Sequence, residues 1–200
     1  MRTDLHPTTF LAIVLLTLIL FIGSAYGYDI PSDLKGDGEI TLYRPAINER
    51  ETFRYRDENG NHSRETMDAI AYFFRCRMTD EEFVIDSKLI ELIDAIEDHF
   101  NAKEIKLVSA YRSPIRNFSM RMRNRRVAKE SYHMKGMAAD IEVSNISARQ
   151  VRDFAYVLNQ GGVGYYRKRS FVHVDTGPLR TWGFKPRRYP QRTAPAMSHK

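Results

Sequence analysis

The spacing of apolar residues changes period along this chain, and each change predicts an element. Ile40-Thr41-Leu42-Tyr43 and Thr52-Phe53-Arg54-Tyr55-Arg56 alternate with period two, as half-buried strands do, and Glu58-Asn59-Gly60-Asn61 supplies a turn. From Arg64 to Arg75 the apolar positions Met67, Ile70, Ala71 and Phe74 fall at helical spacing. Asp86-Ser87 can cap a second helix, whose stripe is Leu89, Ile90, Ile93, Ile96 and Phe100. Glu104 to Ala110 alternates again, and Pro114 then marks a loop and speaks against a helix through that point. Met137 to Val143 reads as a strand, and Ser147 to Leu158 as a helix entered from a serine cap and closed at Gly161-Gly162. Val163 to Tyr166 and Phe171 to Asp175 form a hairpin pair that Gly177-Pro178 ends. This order predicts an α+β fold, a small central antiparallel sheet flanked by helices, rather than the regular alternation of a doubly wound domain.

Composition narrows the setting. Two hundred residues suit one domain with peripheral segments. The net charge of +6 is unevenly spread. Lys185, Arg187, Arg188, Arg192 and Lys200 follow Trp182 without an acid, and Arg112 to Lys129 holds seven Lys/Arg and no Asp or Glu. Such runs attract polyanions: wall polymer, lipid headgroups or nucleic acid. The chain carries no recognised nucleic-acid module and the basic tail contains prolines rather than a reading helix, which argues against nucleic acid as partner. Cys76 is the single cysteine, so no intrachain disulfide can form, and its place after Phe73-Phe74 suits core filler.

The uncharged run Phe10 to Ile22 is short of the roughly 20 residues a bilayer span needs and fits the apolar region of an export signal. Ala25-x-Gly27 resembles a cleavage site, although Arg2 is offset by Asp4, and an uncleaved anchor is the rival reading. The expected plan is a signal peptide or signal anchor over 1–27, a linker over 28–39, a core domain over 40–184, and a disordered basic tail over 185–200. The bulk of the chain is then exported to the periplasm or cell envelope, touching membrane only through an uncleaved N-terminal segment.

Candidate chemistry centres on His133, Asp140 and His173. A catalytic zinc takes three His or Asp/Glu ligands and keeps a position for water, and a single cysteine makes a cysteine-only site unavailable. With period-two alternation, Met137, Ala139, Ile141 and Val143 take one face of their strand while Ala138, Asp140 and Glu142 take the other. Val172 and Val174 likewise oppose Phe171, His173 and Asp175. Taken singly, each histidine also suits a hydrogen-bonded structural role, and Asp140 a strand edge facing water.

Their joint order decides more. Ser131-x-His133-x-x-Gly136-x-Ala138-x-Asp140, followed by a strand-borne His173, resembles the signature of the lysostaphin, D-Ala-D-Ala metallopeptidase and sonic-hedgehog superfamily of zinc domains. Ser109-Ala110-Tyr111-Arg112-Ser113-Pro114, Gly161-Gly162-Val163-Gly164-Tyr165-Tyr166 and Phe171 through Gly177 are similar to its murein endopeptidase K branch. The resemblance covers about residues 40–184 and implies a hedgehog/D-Ala-D-Ala peptidase-like fold with one Zn2+ per chain held by His133, Asp140 and His173. It implies that Arg112 orients a substrate carboxylate or carbonyl and steadies negative charge. Several relatives place an acidic general base three residues before the last histidine, where this chain has Ser170. Asp175 is the substitute, as base or as a partner fixing a ligand's orientation. The implied activity is zinc-dependent hydrolysis of amide bonds in peptidoglycan peptides, a cross-link endopeptidase. The alternatives are a D-Ala-D-Ala carboxypeptidase and a zinc-containing peptidoglycan-binding domain without hydrolytic activity.

Overall fold

The computed structural model describes residues 30–186. The signal or anchor expected over 1–27 and nearly all of the basic tail lie outside the described residues. Seven strands and four helices are found among them. They run β1 (Glu39–Arg44), β2 (Glu49–Arg54), α1 (Arg64–Phe73), α2 (Ser87–His99), β3 (Ile105–Ser109), α3 (Pro114–Arg123), β4 (Ala138–Val143), α4 (Ala148–Leu158), β5 (Gly162–Tyr166), β6 (Phe171–Asp175) and β7 (Arg180–Trp182).

All seven strands join one sheet in the order β2-β1-β3-β4-β6-β5-β7. The small antiparallel sheet read from the sequence is therefore corrected on two counts. The sheet is larger, and it is mixed: β1 pairs parallel with β3, and β5 parallel with β7. Both parallel contacts have a connectivity cause. β2 runs back along β1, and the connection through α1 and α2 then reverses the chain a second time, so β3 runs parallel with β1; β6 does the same between β5 and β7. Gly177-Pro178 does not end the sheet; the chain turns there and lays Arg180–Trp182 along the far edge of β5.

Helix starts follow local chemistry. Ser63, Asp86 and Ser147 each accept a backbone N–H of the first turn from α1, α2 and α4, and Ser147 with Gln150 forms a reciprocal capping box. The loop expected at Pro114 is instead a helix start. Ser113 Oγ accepts from Arg116 N at 3.3 Å, and Pro114 sits in the first turn, where its missing N–H costs nothing. The C-terminus of α4 is closed by Asn159 in left-handed conformation, φ 56°, ahead of the glycine pair.

The core lies between one sheet face and helices α2 and α4. Ile40, Leu42, Ile105, Leu107, Ile141 and Val172 pack with Leu89, Ile90, Ile93, Ile96, Val151 and Leu158, all under 4% exposed. Burying that apolar surface is the main force that fixes the sheet register. Ala139, Ile141, Val172 and Val174 point into this core, so Asp140 and His173 must emerge on the opposite face. No helix among the described residues is long and apolar enough to cross a membrane.

Candidate metal centre

Two of the three candidate ligands are cross-strand neighbours. β4 and β6 run antiparallel with Asp140 directly opposite His173, and Ala138 opposite Asp175. His133 comes from the short 3-10 turn Tyr132–Lys135 just ahead of β4. That turn ends at Gly136, φ 65°, where an added Cβ would lie 2.1 Å from the carbonyl oxygen of Val84. Only glycine combines this left-handed backbone with so close an approach. The turn is tied to the β3–α3 junction by Arg112 N donating to His133 O at 3.1 Å.

The donor atoms converge. His173 Nδ1 lies 2.9 Å from Asp140 Oδ1, His133 Nε2 lies 3.4 Å from the same oxygen, and the two imidazole nitrogens are 3.2 Å apart. His133, Asp140 and His173 are each at least nine-tenths buried. The outer nitrogens are anchored elsewhere. His133 Nδ1 is 2.8 Å from the Ala110 carbonyl, which can only accept, so the proton resides on Nδ1 and the Nε2 lone pair faces the centre. His173 Nε2 is 2.8 Å from Asp175 Oδ2, leaving Nδ1 for the centre. This is the arrangement by which proteins orient metal-bound imidazoles.

The donor set fits zinc. Ligands about 2.0–2.1 Å from a tetrahedral ion stand about 3.3 Å from one another, close to the three separations here. Two imidazole lone pairs and a carboxylate oxygen pointing at one place repel unless a cation lies between them. The protonation preferences show how strongly these groups act on one another. Burial alone would lower the His173 pKa, but hydrogen bonds to Asp140 and Asp175 outweigh it and raise it. Burial lowers that of His133, against the pull of Asp140. Burial would raise Asp140, yet the two imidazoles hold it well below the usual carboxylate range.

Asp175 faces away from this centre. It is fully buried, and both oxygens are occupied. Oδ1 accepts from Gly162 N at 3.1 Å, Gly177 N at 2.9 Å and Arg180 Nη1 at 3.1 Å; Oδ2 accepts from His173 Nε2 and, at 2.6 Å, Arg180 Nη2. His173 and Arg180 outweigh burial and keep it ionised below the ordinary range. Arg112 differs. It is 9% exposed, and Asn117 Oδ1 at 3.4 Å is the one hydrogen-bond partner of its guanidinium among the described residues. Its remaining donors face a cleft, and Asp140 supports its positive charge against burial.

That cleft, about 790 Å³, opens over the three ligands. Among the described residues, Arg112, Arg123, Arg126, Arg169 and Arg180 line it, against Asp140 and Glu130 as the carboxylates. Ser170, exposed and in left-handed conformation with φ 57°, is not among the lining residues. Sequence reasoning missed the contribution of β7. Trp182 lies across Gly164, where a Cβ would meet its indole at 2.3 Å, and its ring centroid is 4.9 Å from that of His173. Arg180 stacks between the rings of Tyr132 and Trp182 while gripping Asp175. The signal available beforehand was Gly164 itself, a glycine inside a strand, which often marks a close approach by another group.

A family model described as peptidoglycan L,D-endopeptidase MepK matches residues 35–182. Among curated proteins, the chain is 38% identical over 113 residues to the probable peptidoglycan L,D-endopeptidase MepK of Haemophilus influenzae, covering 56% of this chain and 61% of that protein. It is 38% identical over 119 residues to the peptidoglycan L,D-endopeptidase MepK of Escherichia coli K12, covering 59% of this chain and 65% of that one. The matched part thus spans less than two thirds of either relative's length. No solved structure matches the chain.

Proposed function

The chain belongs to the peptidoglycan L,D-endopeptidase MepK family, and from that membership we propose that it hydrolyses amide bonds in peptidoglycan peptides, as a zinc-dependent endopeptidase acting on cross-links. The observation that carries this reading is the convergence of His133 Nε2, His173 Nδ1 and Asp140 Oδ1 beneath an open cleft, with each imidazole held from behind. A zinc ion held by these residues supplies the Lewis acidity that makes water a nucleophile near neutral pH and polarises a scissile carbonyl.

The other residues divide the remaining work. Arg112 offers at the cleft wall the guanidinium donors that Asn117 does not take, suited to a substrate carboxylate and to the negative charge that develops on the attacked carbonyl. Asp175 holds His173 in the tautomer that leaves Nδ1 free; with five donors on its two oxygens, it has no lone pair directed at the cleft to receive a proton. The excess of arginine along the cleft favours the carboxylate-rich stem peptides of the wall over neutral peptides. We further place the chain in the periplasm or cell envelope, where such peptides are found, with 40–184 as its zinc peptidase domain and a hedgehog/D-Ala-D-Ala peptidase-like fold.

Ser170 is the feature that favours a second reading, a wall-binding domain without hydrolysis, because a serine cannot take the place of the acid found there in several zinc relatives. Incubating the purified chain and zinc with cross-linked sacculi separates the two. Mass spectrometry is expected to find soluble muropeptides opened at a cross-link amide, and Asp140→Ala to release none. Retention on sacculi without soluble products overturns the hydrolase; release of terminal D-alanine alone makes it a carboxypeptidase.

A further inference from the structure

Helix α3 is built inside out. Its fully buried residue is Asn117, which donates to the carbonyls of Ala128 and Lys129 at 3.1 and 3.2 Å and accepts from Arg112. Its large apolar residues face solvent instead: Ile115 is 61% exposed, Phe118 65% and Met122 72%. At about 100° per residue these three fall within about 60° of one another and about 100–160° away from Asn117. None of them lines the cleft, although Met120 and Arg123 of the same helix do. The stripe lies in the stretch Arg112–Lys129, which holds no acid; Arg112, Arg123 and Arg126 belong to the cleft wall, while Arg116 and Arg121 flank the stripe on the helix and Arg125 and Lys129 follow it.

We propose that this face of α3 docks on the surface of an anionic lipid bilayer. An outward apolar stripe bordered by cations is what lies at the headgroup–acyl boundary, the apolar side chains reaching below the phosphates and the basic ones pairing with them. A second copy of the chain does not suit the face, since two such arrays would bring like charges together. An acidic polypeptide would satisfy the cations, but the stripe needs an apolar layer beneath them, which lipid supplies in one surface. Ten residues of helix span about 15 Å, so the contact is a shallow one and crosses nothing. The consequence is positional: the cleft, which shares Met120 and Arg123 with this helix, opens beside the headgroup plane. This inference stands apart from the hydrolase reading and holds or fails without it.

A local probe tests it on the full chain. Ile115→Cys carries an environment-sensitive nitrobenzoxadiazole label, Cys76 being 1% exposed and shielded; Val157→Cys, exposed on α4, is the control site. With vesicles of phosphatidylglycerol and phosphatidylcholine the label at 115 is expected to brighten and shift to the blue, and that at 157 to stay unchanged. Phosphatidylcholine alone should give no shift, and Phe118→Ser with Met122→Ser should raise the half-saturating lipid concentration about tenfold or more. The proposal is overturned if the chain sediments with vesicles through its N-terminal apolar run while the label at 115 stays water-like. It is equally overturned if the label shifts without vesicles, whether with rising protein concentration or at all concentrations, or if soluble polyglutamate produces the same shift.

Discussion

Asp140 and Asp175 lie on neighbouring strands and are both buried, yet their surroundings give them opposite work. Asp140 turns one oxygen toward two imidazole nitrogens, while Asp175 spends both oxygens on His173, Arg180 and two backbone amides. Asp140→Ala is expected to remove zinc from the purified protein, read by metal analysis after dialysis, and to abolish activity with it. Asp175→Asn is expected to retain zinc at saturating metal, with affinity lowered about 10- to 100-fold in competition with a chelator. A result in which Asp175→Asn binds zinc normally but shows a displaced pH–rate profile would assign it the proton-accepting role instead. Period-two alternation sufficed to place Asp140, His173 and Asp175 on one face of their strands. It could not divide the roles of the two aspartates, because the amides of Gly162 and Gly177 and the Arg180 guanidinium reach Asp175 only after β5, the following turn and β7 have closed around it.

At the scale of elements, the turn that carries His133 depends on Gly136. Gly136→Ala would force an L-residue into left-handed backbone and press its Cβ on the Val84 carbonyl, a backbone atom that cannot swing aside. The expected cost is about 2–4 kcal/mol of stability by denaturant unfolding, with zinc affinity reduced as the turn shifts. The elements that sequence reading recovered are those whose signal is local: the strand alternations, the caps at Asp86 and Ser147, the stripe of α2. Two were missed for physical reasons. α3 carries Ile115, Phe118 and Met122 at helical spacing, but Pro114, read as a breaker, is in fact a good first-turn residue behind the Ser113 cap; the other missed element lies at the sheet edge. β7 is three residues long and takes its strand character from pairing with β5, which no window of its own sequence could display.

Across the molecule, charge is distributed so that acids gather on α2 and cations around the cleft. Glu97 is 6% exposed where it accepts from Thr41 N, and burial lifts its pKa to about 8; Asp94, fully buried under Gly36 and hydrogen-bonded by the Tyr55 hydroxyl at 2.6 Å, is lifted to about 6. The folded protein therefore holds protons that the unfolded chain releases near pH 4 to 5. Their contribution to stability is complete below that range and is lost as pH rises toward 8. Glu97→Gln, which keeps an acceptor for Thr41, is expected to raise stability at pH 8 by about 2 kcal/mol and to flatten the decline measured by thermal unfolding between pH 5 and 8. The arginine-lined cleft sets a second global property: kcat/KM on carboxylate-bearing wall peptides should fall severalfold between low salt and roughly 0.5 M, while an uncharged amide analogue responds little. The mixed sheet order was not legible, since strand neighbours far apart in the chain are chosen by packing over the whole core.

Because Asp140 and His173 face one another across a single β-ladder, and Ala110 and Asp175 already restrain the two rings, the chelating geometry is inherent in the folded scaffold. Stripping and reloading the ion should then be a reversible exchange that leaves circular dichroism unchanged. Recovery after chelation would then be paced by how fast the free ion arrives, and would need neither refolding nor new synthesis.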